Sequence, residues 1–161
     1  MRSGTQRDGS DIRPRALLKH LVVPALLIVA VSAFAYPGMP DVIEMRQAGQ
    51  DLLEGDFNGI RAVAEANGDV ESLEASAKAM ARWIRQFPSQ FPAGSEQGHN
   101  TKARPEIWSD HAGFEASANR MADAADRLAE LAKAENTEGV KIQVKAIGAA
   151  CRDCHRDYRT R

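Results

Sequence analysis

The residues best suited to chemistry lie near the end of the chain, where Cys151, Cys154 and His155 stand in the order C-x-x-C-H and use both cysteines among 161 residues. Two thiols three positions apart on a helix can add across both vinyl groups of one porphyrin. The adjacent imidazole can then turn onto the iron. A structural zinc site would need a fourth ligand, and His99 and His111 are remote in sequence. A thioredoxin-type dithiol would need a βαβ context, which the surrounding pattern lacks. A disulfide spanning two residues within a helix closes a strained loop and stabilises little. The motif therefore reads as the covalent attachment site of one haem c, and its position on the last helix is unusual.

The opposite end indicates where attachment takes place. Arg2, Arg7, Arg13, Arg15 and Lys19 precede an uncharged, mostly apolar run from Leu21 to Ala35 that closes in Ala33-Phe34-Ala35. This is the pattern of a secretory signal peptide, residues 1–35, with cleavage after Ala35. Fifteen residues are short for a membrane span, and an uncleaved signal anchor is the alternative. The expected compartment is the periplasm, with membrane association only if the signal stays on.

Removing those residues leaves 36–161, enough for one domain and one core. This part holds sixteen Lys and Arg against twenty Asp and Glu. An acidic domain is a poor partner for nucleic acid, so small molecules and basic protein patches are the better expectation. No nucleophile–base pair, phosphate loop or paired-carboxylate site suggests an enzyme.

Four segments keep helical rhythm. On the last, Val140, Val144, Ile147, Cys151, Cys154 and Tyr158 form one stripe that carries both thiols. A second, Glu106 to about Ala134, follows Pro105 and places Ile107, His111, Phe114, Ala118, Met121, Ala125, Leu128 and Ala132 inward. A third runs from about Asp69 to Phe87 between Asn67-Gly68 and Pro88. The first, about Asp41 to Ala66, carries Arg46, Gln50, Leu53, Phe57, Ile60 and Ala64 in the same rhythm. The expectation is all-α: an antiparallel four-helix bundle, with Pro88 to Arg104 crossing outside it as a loop.

The C-terminal CxxCH, an Arg four residues before an inward position of the first helix, and the stretch Ala103-Arg104-Pro105-Glu106-Ile107-Trp108-Ser109-Asp110 resemble the cytochrome c′ family, the class II cytochromes c. The resemblance covers about Asp41 to Arg161. It implies one covalently attached haem c with His155 as proximal ligand, and often a homodimer. It also implies binding of small gaseous ligands such as nitric oxide and carbon monoxide, single-electron exchange with a redox partner protein, or both. The low-spin, six-coordinate electron carrier of the same fold is the alternative. Arg159 matches the family's basic residue beside the proximal imidazole, and Arg46 its Arg near a haem propionate.

Gln50 departs from the family's pattern, which usually places Leu, Phe or Met there. A buried amide must be hydrogen-bonded. Its amide therefore bonds a ligand or water on the iron, its oxygen ligates the iron, or the helix is rotated and the side chain meets solvent or a propionate. Phe57, two turns on, reads as a distal wall. Met45, Met80, Met121, Trp83 and Trp108 read as packing residues, and His111 as a satisfied histidine rather than a ligand.

Overall fold

The computed structural model of the chain describes residues 41–161; the expected signal peptide lies outside the described residues. Four long helices make up the domain: α1 (Val42–Glu65), α2 (Glu74–Gln86), α4 (His111–Lys133) and α5 (Thr137–Tyr158), with the short α3 (Glu106–Ser109) before α4. Each start has a chemical reason. The side chains of Asp41, Asp110 and Asn136 accept hydrogen bonds from the backbone N–H of Ile43, Gly113 and Gly139, satisfying donors that the first turns of α1, α4 and α5 leave open. Two ends are alike: Asn67 and Glu135 adopt positive φ, and the following N–H groups of Gly68 and Asn136 return to Val63 O and Leu131 O.

Three helices pack closely and the fourth does not. Ala77 and Ala81 of α2 and Ala122, Ala125 and Ala129 of α4 lie almost fully buried in one core, and such small side chains let the two backbones approach. Val140, Val144 and Ile147 bring α5 onto the other flank of α4. Helix α1 joins this core through Ile60 and Ala64 near its end. At its other end, the Trp83 ring lies where a Cβ on Gly49 would be, so glycine there allows α1 and α2 to touch.

Two expectations need correction. The segment from Glu106 to Ala134 is not one helix: it breaks at Asp110, whose φ of −124° leaves the helical range while its carboxylate caps α4. The break puts His111 outside, where Nδ1 contacts Ile107 O and Nε2 lies 3.3 Å from Glu115. Nor does Pro88 to Arg104 stay outside the bundle. It begins in a 3₁₀ turn, Phe87–Gln90, and then buries Phe91 and Ser95. Phe91, Phe114 and Tyr158 form, with Ile107, a second apolar cluster, in which the Phe91 and Phe114 rings meet edge-on at 5.1 Å.

Two glycines of α1 should respond in opposite directions to alanine. Gly49→Ala must displace the Trp83 ring and should destabilise by about 1–3 kcal/mol. Gly55 has nothing within 4 Å of an added Cβ, so Gly55→Ala should stabilise by about 0.5–1 kcal/mol. Denaturant midpoints of the two purified variants check both signs; a Gly49→Ala variant as stable as the parent would show that the α1–α2 approach is not set by the ring.

Candidate functional site

A cleft of ≈ 1230 Å³ opens between α1 and α5, with α4 and the end of α2 as its floor. It exceeds the volume of about 300–1,000 Å³ usual for small-ligand sites. From α5 it receives Cys151, Cys154 and His155, and from α1 Arg46, Gln50, Leu53 and Phe57. The cleft thus parts the middle of α1 from the end of α5 that carries the cysteines, while Ile60 and Ala64 still share the core with Val140, Val144 and Ile147.

Both cysteines are half-buried and neither is in a disulfide. Burial raises the pKa of each, and the Cys154 thiol, also beside Cys151, is pushed up to about 11, so both are protonated and uncharged at neutral pH. Met121 of α4 lies under them, its sulfur 3.9 Å from Cys151 Sγ. Partial burial and then the charge of Arg159 hold the His155 imidazole below its ordinary pKa, which favours the neutral form able to ligate a metal. Gly148, one turn before the cysteines, sits between Phe57 and the Arg152 guanidinium, so α5 presents a flat surface there. Two neutral thiols, a neutral imidazole and an apolar cleft of this size suit a covalently held porphyrin.

The end of α5 is tied down on two sides. Tyr158 Oη donates to Asp110 Oδ2 at 3.0 Å, linking it to the start of α4. On the other side, Ala103 pairs with Arg159 as an isolated antiparallel bridge, with Arg104 N donating to Tyr158 O and Thr160 N to Lys102 O. The Arg104 side chain donates to Arg156 O and pairs with Glu106. Sequence reasoning gave Arg104 no role of its own; its place beside Pro105 in the family segment was the available signal. Arg159 is exposed and lines the cleft.

Arg46 is only 3 % exposed, and its guanidinium stacks 4.2 Å from the Phe91 ring. Nη1 donates to Gln90 O and Ser95 Oγ, and Nη2 to Ser95 O and Thr101 Oγ1, so all four terminal N–H groups hold the crossing segment. Burial lowers its pKa, offset in part by Asp41 and Glu96. Gln50 is half-buried on the cleft wall, and its amide makes no hydrogen bond to another described residue. Met45 is 42 % exposed and lies off the cleft, as do Trp83 and Trp108. His99 is also away from the thiols, bracketed by Glu44 at 3.1 Å and Asp41 at 3.8 Å.

A family model described as cytochrome c′ matches residues 41–159. The cytochrome c′ of Rubrivivax gelatinosus is 33% identical over 128 residues, spanning 78% of this chain and 98% of that protein. The cytochrome c-556 of Agrobacterium fabrum is 31% identical over 120 residues, 73% of this chain and 80% of that protein. Among solved structures, the R. gelatinosus cytochrome c′ superposes with a TM-score of 0.67 at 30% identity, over 74% of this chain and 95% of that one. A nitric oxide complex of a variant cytochrome c′ from Alcaligenes xylosoxidans gives 0.67 at 27% identity, over 75% and 94%.

Arg46→Lys keeps the charge but loses the fork that reaches four acceptors. The expected cost is about 2–3 kcal/mol, because buried carbonyls lose their donors. Denaturant unfolding reads the loss, and limited proteolysis should show faster cleavage between Phe91 and Ala103. An equally resistant segment would show that something else holds it.

Proposed function

The chain belongs to the cytochrome c′ family and carries one covalently attached haem c. From that premise we propose that Cys151 and Cys154 form its thioether links, that His155 is its proximal ligand, and that the domain binds small gaseous ligands such as nitric oxide and exchanges single electrons. What carries this reading is the meeting of Cys151, Cys154 and His155 with Gln50 and Phe57, from opposite walls, on one cleft. The A. xylosoxidans relative crystallised with nitric oxide supports it.

Bound in the cleft, the iron supplies the ligand-binding and redox chemistry; the chain sets what surrounds it. His155 would ligate the iron from a helix end that the Lys102–Arg104 strap and Asp110 secure. Arg159 adds positive charge beside the imidazole, and Arg46 adds it at the loop end of the cleft without releasing its grip on Ser95 and Thr101. Gln50 offers an amide that bonds no other described residue, and Phe57 lines the same cleft as an apolar wall. No methionine of α1 lines the cleft, which favours the ligand-binding reading over the low-spin electron carrier. No helix among the described residues is long and apolar enough to cross a membrane. Residues 1–35 act as a cleaved signal, and residues 36–161 work in the periplasm, where c-type haem is attached.

Denatured protein extracted with acidified organic solvent should keep its haem. Cys151→Ala or Cys154→Ala should leave at most one link. Release of haem from the wild-type chain would overturn covalent attachment.

Gln50→Leu removes a hydrogen-bond donor worth about 0.5–1.5 kcal/mol, so affinity for a polar or polarisable ligand should fall from a few-fold to about tenfold. The carbon monoxide stretching frequency of the ferrous complex should rise as the positive end of the amide dipole is withdrawn. Unchanged affinity and frequency would place the Gln50 amide away from the bound ligand.

A further inference from the structure

We propose that the mouth of the cleft is the docking face for an acidic patch on a redox partner protein, although the domain as a whole is acidic. The proposal rests on the haem reading above and adds the sign of the partner's charge.

Charge is sorted by location. Arg61 on α1, Lys145 and Arg152 on α5, Lys102 on the strap and Arg159 at the chain end all line the cleft and are exposed. None of the five forms an ion pair with another described residue. Lys145 and Arg152 are seven residues apart on one helix, hence on one face and about 10 Å apart along its axis. Lys141, one turn before Lys145, adds a sixth cation, although it is paired with Glu138. The lining carboxylates are Asp51, Glu54 and Glu65, all on α1. Off the cleft, Lys78, Arg85, Arg127 and Arg156 are each paired with acidic neighbours, while Arg82, Arg120, Lys133 and Arg161 form no ion pair with another described residue but lie outside the cleft lining.

The mouth therefore carries a local surplus of positive charge within a domain whose total is negative. Leaving out Lys141, which is paired with Glu138, six cations including the buried Arg46 line the cleft against three carboxylates, a surplus of three of which two haem propionates would offset two. Unpaired like charges crowded together repel one another, and a field concentrated at a cleft opening accelerates encounter with an opposite charge. A haem held in this cleft would exchange its electron through the opening, where a partner can approach it. An acidic protein patch meets the cations over a small area, whereas an extended anionic membrane would also face the acidic remainder of the domain.

The test uses the haem-loaded protein, reduced and mixed with ferricyanide or hexaamminecobalt(III), each taking one electron from the haem. Salt is raised from about 0.01 M to about 0.15 M, which shortens the Debye length from about 30 Å to about 8 Å. Oxidation by anionic ferricyanide should slow by about threefold or more, and oxidation by the cationic cobalt complex should accelerate. Arg61→Glu with Lys145→Glu should reverse both slopes; Arg152→Glu alone should flatten them. A control pair, Arg82→Glu with Arg127→Glu, changes net charge equally but lies off the cleft, and should leave the slopes in place. Wild-type slopes that follow the net negative charge, or equal responses of the two pairs, would overturn the proposal. So would Lys145-dependent sedimentation with phosphatidylglycerol vesicles in place of retention on immobilised polyglutamate. Absence of covalent haem would overturn both readings; the slopes overturn the docking face alone.

Discussion

Holding α1 away from α5 while still closing the bundle is the constraint on which the rest of this structure depends. A fourth helix packed like the other three would fill the cleft with side chains and leave no room for a planar group. Helix α1 is instead fastened at its two ends. Ile60 and Ala64 enter the main core, while Gly49 meets Trp83 and the Arg46 guanidinium is locked to Gln90, Ser95 and Thr101. Between these fastenings Gln50, Leu53 and Phe57 stay half-buried on the cleft wall. A group that binds only the folded chain and covers those walls stabilises the fold by mass action, so cofactor and bundle support one another.

Arg46 shows why a residue can be found in the sequence and its work still be missed. Its four-residue spacing from Gln50 put it on the inward stripe, and the family resemblance suggested a role beside a propionate. The structure places it on the cleft, yet commits its four terminal N–H groups to acceptors 44 to 55 positions away. Helical periodicity is a local signal and says nothing about partners at that separation. The same limit hid the burial of Phe91 and Ser95, since a segment rich in Pro, Gly and Ser has no period from which to read an inward face. A buried cation stacked on one aromatic ring pulls this segment in.

What was local was legible. Both thiols fall on the cleft as the last stripe placed them, His155 lines the same cleft beside them, and Met80 and Met121 are core residues. Asn67 ends α1 through its positive φ. The break between α3 and α4 was less visible because Asp110 does two things at once: it leaves the helical range and then caps the helix that follows. One residue of irregular backbone shifts the phase of a stripe, which is why His111 faces outward while Phe114, three positions later, is buried. Charge behaved similarly. Composition fixed the total, but only the folded chain shows that cations gather at the cleft while much of the acidic surface lies elsewhere.

The position of the haem motif explains the strap. A ligand on the last turn of a C-terminal helix would ordinarily sit on the part of the chain most prone to fray, since the final carbonyls lack helical partners. Here those carbonyls are used: Tyr158 O accepts from Arg104 N, and Arg156 O from the Arg104 side chain. The Tyr158 hydroxyl reaches Asp110 on the opposite side, and Gly113 leaves room for it, because a Cβ there would overlap the Asp110 carboxylate. Asp110 thus caps α4 and holds the end of α5 through one side chain. The segment Arg104 to Asp110, which supports the family resemblance at the level of sequence, is in physical terms the clamp that keeps His155 on a rigid helix. Cys154 itself packs against the apolar cluster that Ile107 of this segment joins, so the clamp and the attachment motif share one piece of core.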